Sequence, residues 1–151
     1  MKIFIGGDHA GFELKEKIKN FLIEQGYQVE DMGAFKLDDN DDYPDFIIPV
    51  ANAVSLNENS FGIVLGGSGQ GEQIVANKID RVRAIEYYGG DLNIVKLGRE
   101  HNNANVLSLG ARFVNEQEAM EAIKIFLNTK FSEEERHERR IEEINKIEEN
   151  N

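Results

Sequence analysis

Four glycines, a serine and a glutamate crowd into the run Gly66-Gly67-Ser68-Gly69-Gln70-Gly71-Glu72, with Gln73 following. Glycines let backbone N–H groups approach an anion closely, and a helix opening after the run would add the positive end of its dipole. A single glycine suffices for a tight strand-to-helix turn, so this density favours ligand approach. The common phosphate devices do not fit. A P-loop needs Lys-Ser/Thr after its last glycine, where this chain has Glu72-Gln73, and G-x-G-x-x-G fails because position 72 is Glu. The nucleophile elbow G-x-S-x-G around Ser68 fails at Gln70. What remains is an acid at the mouth of an anion-friendly turn. The macrodipole alone favours Glu72 in a first helical turn. Partly buried beside an anion hole, the same carboxyl would gain the raised pKa of a general base.

The three histidines lie in polar clusters, Asp8-His9, Glu100-His101-Asn102-Asn103 and Arg136-His137. Each is either an incidental hydrogen-bonding group or part of a site. No pair has the close helical spacing of a zinc motif and the chain has no cysteine, so no metal is expected. Arg136 and Arg140 stand four apart and share a helix face. They pair with neighbouring glutamates, or they present guanidinium groups to a phosphate.

These residues must be positioned by elements whose pattern is α/β. Short apolar runs near Lys2–Gly6, Tyr27–Met32, Phe61–Gly66, Arg83–Tyr87 and Asn105–Gly110 predict strands. Ile63-Val64-Leu65 lacks clean alternation, as in parallel strands buried on both faces. Between them, Phe12, Leu14, Ile18, Phe21 and Leu22 follow helical spacing up to a stop at Gly26; Pro44 opens a helix to about Val54; and Ala119 to Phe126 is amphipathic. A polar helical tail occupies about residues 131–151. Lys36–Asp42, with four aspartates and an asparagine, reads as an exposed loop. The glycine-rich run, Gly6–Gly11 and Gly110-Ala111-Arg112 all fall at strand ends, where open α/β sheets bind ligands.

A chain of 151 residues without repeat or linker predicts one domain, 1–151. A net charge of −11 argues against nucleic acid and anionic lipid as partners. No apolar stretch reaches membrane-spanning length and no signal-peptide pattern opens the sequence, so the expected location is cytoplasmic.

The motifs taken together resemble type B ribose-5-phosphate isomerase. They are Gly7-Asp8-His9-Ala10-Gly11-Phe12, Asp42-Tyr43-Pro44-Asp45, Gly66–Gln73 with Ala76-Asn77-Lys78, Arg99–Asn105, and Arg136-His137-x-x-Arg140, in order along nearly the whole chain. The wider family includes galactose-6-phosphate and allose-6-phosphate isomerases, and many members place a catalytic cysteine where this chain has Gly66. A second branch, best known from actinobacteria, lacks that cysteine and carries G-G-S-G-N-G-E-Q with the glutamate as base. This chain matches that branch except at Gln70.

The resemblance implies a Rossmann-like three-layer α/β/α sandwich with a five-stranded parallel sheet and a C-terminal helical extension. It also implies a homodimer with shared active sites, while leaving open whether dimers pair into tetramers. The implied activity interconverts ribose 5-phosphate and ribulose 5-phosphate through an enediolate, in the pentose phosphate pathway, without cofactor. In that scheme Asp8 and His101 assist ring opening, and Glu72 carries the proton between C1 and C2. Ser68 and the N–H groups of Gly67, Gly69, Gln70 and Gly71 hold the enediolate oxygen. His9, Arg112, Arg136 and Arg140 bind phosphate, the last two reaching a neighbour's site, and Tyr43 and Asn102 line the sugar pocket. The alternatives are a hexose 6-phosphate substrate or a non-catalytic sugar-phosphate-binding domain. Glu72 beside Ser68 and His101 is the expected sign of the enzyme.

Overall fold

The computed structural model describes residues 1–151. Five strands, β1 (Lys2–Gly7), β2 (Gln28–Asp31), β3 (Ser60–Gly66), β4 (Ala84–Tyr87) and β5 (Val106–Gly110), form one sheet in the order β2-β1-β3-β5-β4. Every pairing is parallel. The helices are α1 (Phe12–Glu24), α2 (Pro44–Leu56), α3 (Gln70–Ala76), α4 (Asn93–Asn102), α5 (Glu116–Asn128) and α6 (Glu135–Glu149). The five expected strands and the helical tail are all present, with small differences at their ends.

The pleat sends alternate side chains to two cores. Ile3, Ile5, Ile63, Leu65, Leu107 and Leu109 join α1, α4 and α5 on one face. Phe4, Val64 and Val106 join α2 and α3 on the other. Both faces are therefore dry, which is why Ile63-Val64-Leu65 is continuously apolar. The local signals also act as expected. Pro44 occupies the first turn of α2. Gly26, at φ +87°, reverses the chain after α1. Asn115 and Glu118 form a reciprocal capping box at the start of α5.

Lys15 is fully buried in α1 and binds both oxygens of Asp31 at 2.8 Å, tying α1 to the end of β2. Asp31 also accepts from Gly33 N–H at 2.9 Å, so this ion pair sets the loop beside the carboxyl end of β1.

Strand order fixes where a ligand can sit. From β1 the chain turns through α1 towards β2; from β3 it turns through α3, on the opposite face, towards β4. The connections diverge between β1 and β3, opening a crevice at their carboxyl ends.

Candidate active site

The loop between β3 and α3 is strapped to the turn after β5. Ala111 N–H donates to Gly66 C=O at 2.8 Å, and Arg112 N–H donates to Gly67 C=O at 3.0 Å. Gly69 has φ +83°, a conformation that costs glycine little, and its carbonyl accepts from the buried Ser108 hydroxyl at 2.6 Å. With those carbonyls engaged, the N–H groups of Gly67, Ser68, Gly69 and Gly71 donate to no acceptor in the chain. Gln70 N–H donates to Ser68 Oγ at 3.3 Å, at the exposed side of the loop. Several unclaimed N–H dipoles on one short loop make a fixed cradle for an oxyanion.

Glu72 stands in the first turn of α3 and is 4 % exposed. Burial pushes its carboxyl above the ordinary 4.5; its own backbone N–H opposes this and the charge of Asp8 reinforces it. Gly66 is a condition for this pose. A Cβ there would collide with the Glu72 carboxylate, so a side chain at position 66 and this placement of Glu72 exclude each other.

Asp8 opens the turn after β1, 6 % exposed, and its Oδ1 accepts from Ala10 N–H at 3.0 Å and Gly11 N–H at 3.3 Å. His9 follows, with Nδ1 2.6 Å from Asp41 Oδ1. The Asp41 bond raises the His9 pKa; partial burial opposes it, and the charges of Asp8 and Asp39 assist. Tyr43 begins α2 with its ring against Gly71, where a Cβ would come within 2.6 Å of the ring. Arg112 lies over Gly67. Glu86 on β4 was not anticipated. Its carboxyl is pushed up by burial and by the charge of Glu72, and its Oε1 is buried without a partner.

His101 and Asn102 are elsewhere. They end α4, which leaves the carboxyl end of β4 and descends to the amino end of β5. The ten residues of α4 span about 15 Å, so the expected juxtaposition of Glu72 and His101 does not occur within one chain. Arg99 locks that end of the helix, donating to the carbonyls of Thr129 and Ala104. Arg136 and Arg140 lie four apart on α6, both exposed, as their spacing predicts. Between them His137, 4 % exposed, stacks on His101 with ring centroids 4.3 Å apart. Burial, then the nearby His101, lowers the His137 pKa. The expected site residues thus fall into two clusters at opposite ends of the sheet.

Asp8, His9 and Asp41 form a group of three potential metal ligands, their donor atoms within 4.8 Å of one another. However, the closest pair, His9 Nδ1 and Asp41 Oδ1, is engaged in a mutual hydrogen bond. A buried acid, a loop of unclaimed N–H groups, and His9 and Arg112 at a switch point of the sheet define an acid–base site for a small anionic carbonyl compound.

The chain belongs to the ribose/galactose isomerase family, whose model matches residues 3–144. It is 44 % identical over 142 residues to ribose-5-phosphate isomerase B of Mycolicibacterium paratuberculosis, covering 94 % of this chain and 88 % of that one. The Mycobacterium tuberculosis protein of the same name is 42 % identical over 142 residues, with 94 % and 86 % covered. Among solved structures, ribose-5-phosphate isomerase B from Mycoplasma genitalium with bound ribulose-5-phosphate superposes with a TM-score of 0.94 at 38 % identity, covering 99 % and 97 % of the two chains. The Clostridium thermocellum enzyme gives 0.93 at 40 % identity, with 99 % of each covered. No helix of this chain is long and apolar enough to cross a membrane.

Proposed function

We propose that this protein interconverts ribose 5-phosphate and ribulose 5-phosphate, with Glu72 as the proton-transferring base. The observation that carries this reading is the buried, pKa-raised Glu72 beside a loop with four unclaimed N–H groups. Once the sugar ring is open, Glu72 removes the proton from C2 and the electron pair moves into the enediolate. The fixed N–H dipoles and Ser68 hold the developing oxyanion. Glu72 then returns the proton at C1, and a proton shift between the two oxygens completes the ketose. His9 and Arg112 bind the remote phosphate, whose binding energy goes into positioning. Tyr43 closes the sugar pocket.

The second half-site completes the assignment when two copies pair. In a two-fold dimer, His101, Asn102, Arg136 and Arg140 of one copy face the Glu72 crevice of the other. His101 with Asp8 then serves ring opening, and the arginines complete the phosphate site. Such pairing gives two equivalent composite sites. It also gives the exposed arginines a ligand in a chain of net charge −11, where glutamates otherwise surround them. We place the enzyme in the cytoplasm and assign it no metal or cofactor.

The test is a panel of five- and six-carbon aldose and ketose phosphates assayed with pure protein in deuterated water. Ribose 5-phosphate should turn over fastest, with solvent deuterium entering at the transferred position. A faster hexose 6-phosphate would reassign the substrate, and binding without turnover would make the protein a sensor.

A further inference from the structure

We propose that Asp41 is a positioning residue for His9, gripping the imidazole by Nδ1 so that Nε2–H faces the phosphate of the substrate. The proposal rests on the reading of His9 as a phosphate ligand. It starts from an anomaly in the polar loop between β2 and α2. Asp38, Asp39 and Asp42 are exposed there, whereas the Asp41 side chain folds inward and is only 9 % exposed. One of its oxygens takes two hydrogen bonds from the same residue, His9 N–H at 3.1 Å and the His9 ring at 2.6 Å. This two-point grip fixes both the backbone and the ring of a residue 32 positions away. The other oxygen is buried without a partner, so the inward fold is poorly explained as a device for satisfying the loop.

Tautomer chemistry gives the grip its consequence. An imidazole that donates Nδ1–H to a carboxylate has, when neutral, a bare lone pair at Nε2, which repels a phosphate oxygen. Only the imidazolium presents N–H at that position. The groups acting on the ring are Asp41, Asp8, whose Oδ2 lies 3.9 Å from Nδ1, and Asp39. All three are acids and favour the charged ring, against which partial burial works. Asp41 thus fixes the ring through Nδ1–H and sustains the charge that phosphate recognition needs above the ordinary imidazole midpoint.

The direct test follows the three histidine rings by NMR as a function of pH, with His9→Gln assigning the signal. In the native protein the His9 midpoint should lie above 6.5, and in Asp41→Asn it should fall. Ribose 5-phosphate affinity, measured in parallel, should weaken with rising pH earlier in Asp41→Asn than in the native protein. Where the midpoint falls by about one pH unit, the charged-to-neutral ratio falls about tenfold, and KM should rise far more than kcat falls. Unchanged phosphate affinity in His9→Gln would overturn the ligand reading itself. Lost affinity in His9→Gln, with Asp41→Asn matching the native protein at every pH, would overturn the role of Asp41 alone. Should Asp41→Asn fail to fold, the native titration still decides, because a His9 midpoint at or below 6.5 contradicts the proposal.

Discussion

On the proposed function, the carboxyl end of the sheet and the amino end beneath it carry different kinds of recognition chemistry. At the carboxyl end the working atoms are largely main chain. The N–H groups after β3 are held by bonds to the turn after β5 and to Ser108, and the one acid among them is buried. At the amino end the working atoms are side chains on the closing turn of α4 and the opening turns of α6, and the arginines are exposed. A developing oxyanion benefits from dipoles that need no reorganisation, which rigid backbone supplies. A phosphate remote from the reacting carbons needs charge and reach, which long guanidinium side chains supply. On the proposed reading the carboxyl end therefore holds the proton-transferring base in a fixed main-chain frame, and the amino end adds exposed arginines for the phosphate together with His101 for ring opening.

Damage to the carboxyl end should appear in turnover. Glu72→Gln is nearly isosteric and removes the base, so kcat should fall by up to about 10⁴-fold while sugar-phosphate affinity stays close to native. Turnover within a few-fold of native would break the assignment. Damage to the arginines of the amino end should appear in binding. Arg136→Ala with Arg140→Ala removes charge-assisted hydrogen bonds to the phosphate, each contributing about 1.5–3 kcal/mol before non-additivity. KM should therefore rise by roughly 10²- to 10⁴-fold while the melting temperature moves little, since exposed charges add little to stability. Calorimetry showing unfolding as the cause would remove the contrast between the two ends.

Gly66→Ala sharpens the comparison within the carboxyl end alone. The new methyl displaces the Glu72 carboxylate, and a misplacement of this size costs about 10²-fold in turnover. Steady-state kinetics should show this loss in kcat at near-native KM. The smallest effect is thermodynamic. An acid whose pKa is raised in the native state binds more protons there than when unfolded, so the native protein loses stability as pH climbs from about 4.5 through the raised value. Glu72→Gln lacks this loss. Its melting temperature should exceed the native one at neutral pH, with the gap closing in acid. By the same ionisation, the acid limb of kcat/KM should lie above 4.5.

The fold was legible because strands buried on both faces leave continuous apolar runs and the helices between them keep their period. The strand-to-helix loop and the placement of Glu72 in the first turn after it were legible too, because glycine density and an acid in a first turn are local signals. Position in space was harder to read. His101 carries no mark showing that α4 ends at the far edge of the sheet, so its placement away from Glu72 depends on strand order. Asp41 was hidden among its neighbours because being the one aspartate that folds inward is a tertiary fact. Glu86 lies inside a predicted strand and carries no local mark, because its burial and its proximity to the Glu72 charge are tertiary facts.

The central claim, that one chain supplies the base and its partner the arginines, is tested most directly by subunit exchange. Glu72→Gln and Arg136→Ala/Arg140→Ala proteins, each nearly inactive, are mixed in equal amounts under conditions where mass-tagged chains are seen to exchange. Half of the resulting dimers then hold one site with both defects and one with neither, so activity should recover to about a quarter of native. His101→Ala should complement Glu72→Gln in the same way, whereas Gly66→Ala, which damages the same end, should not. Failure to recover activity after verified exchange would place base and arginines in one chain's site and contradict the account.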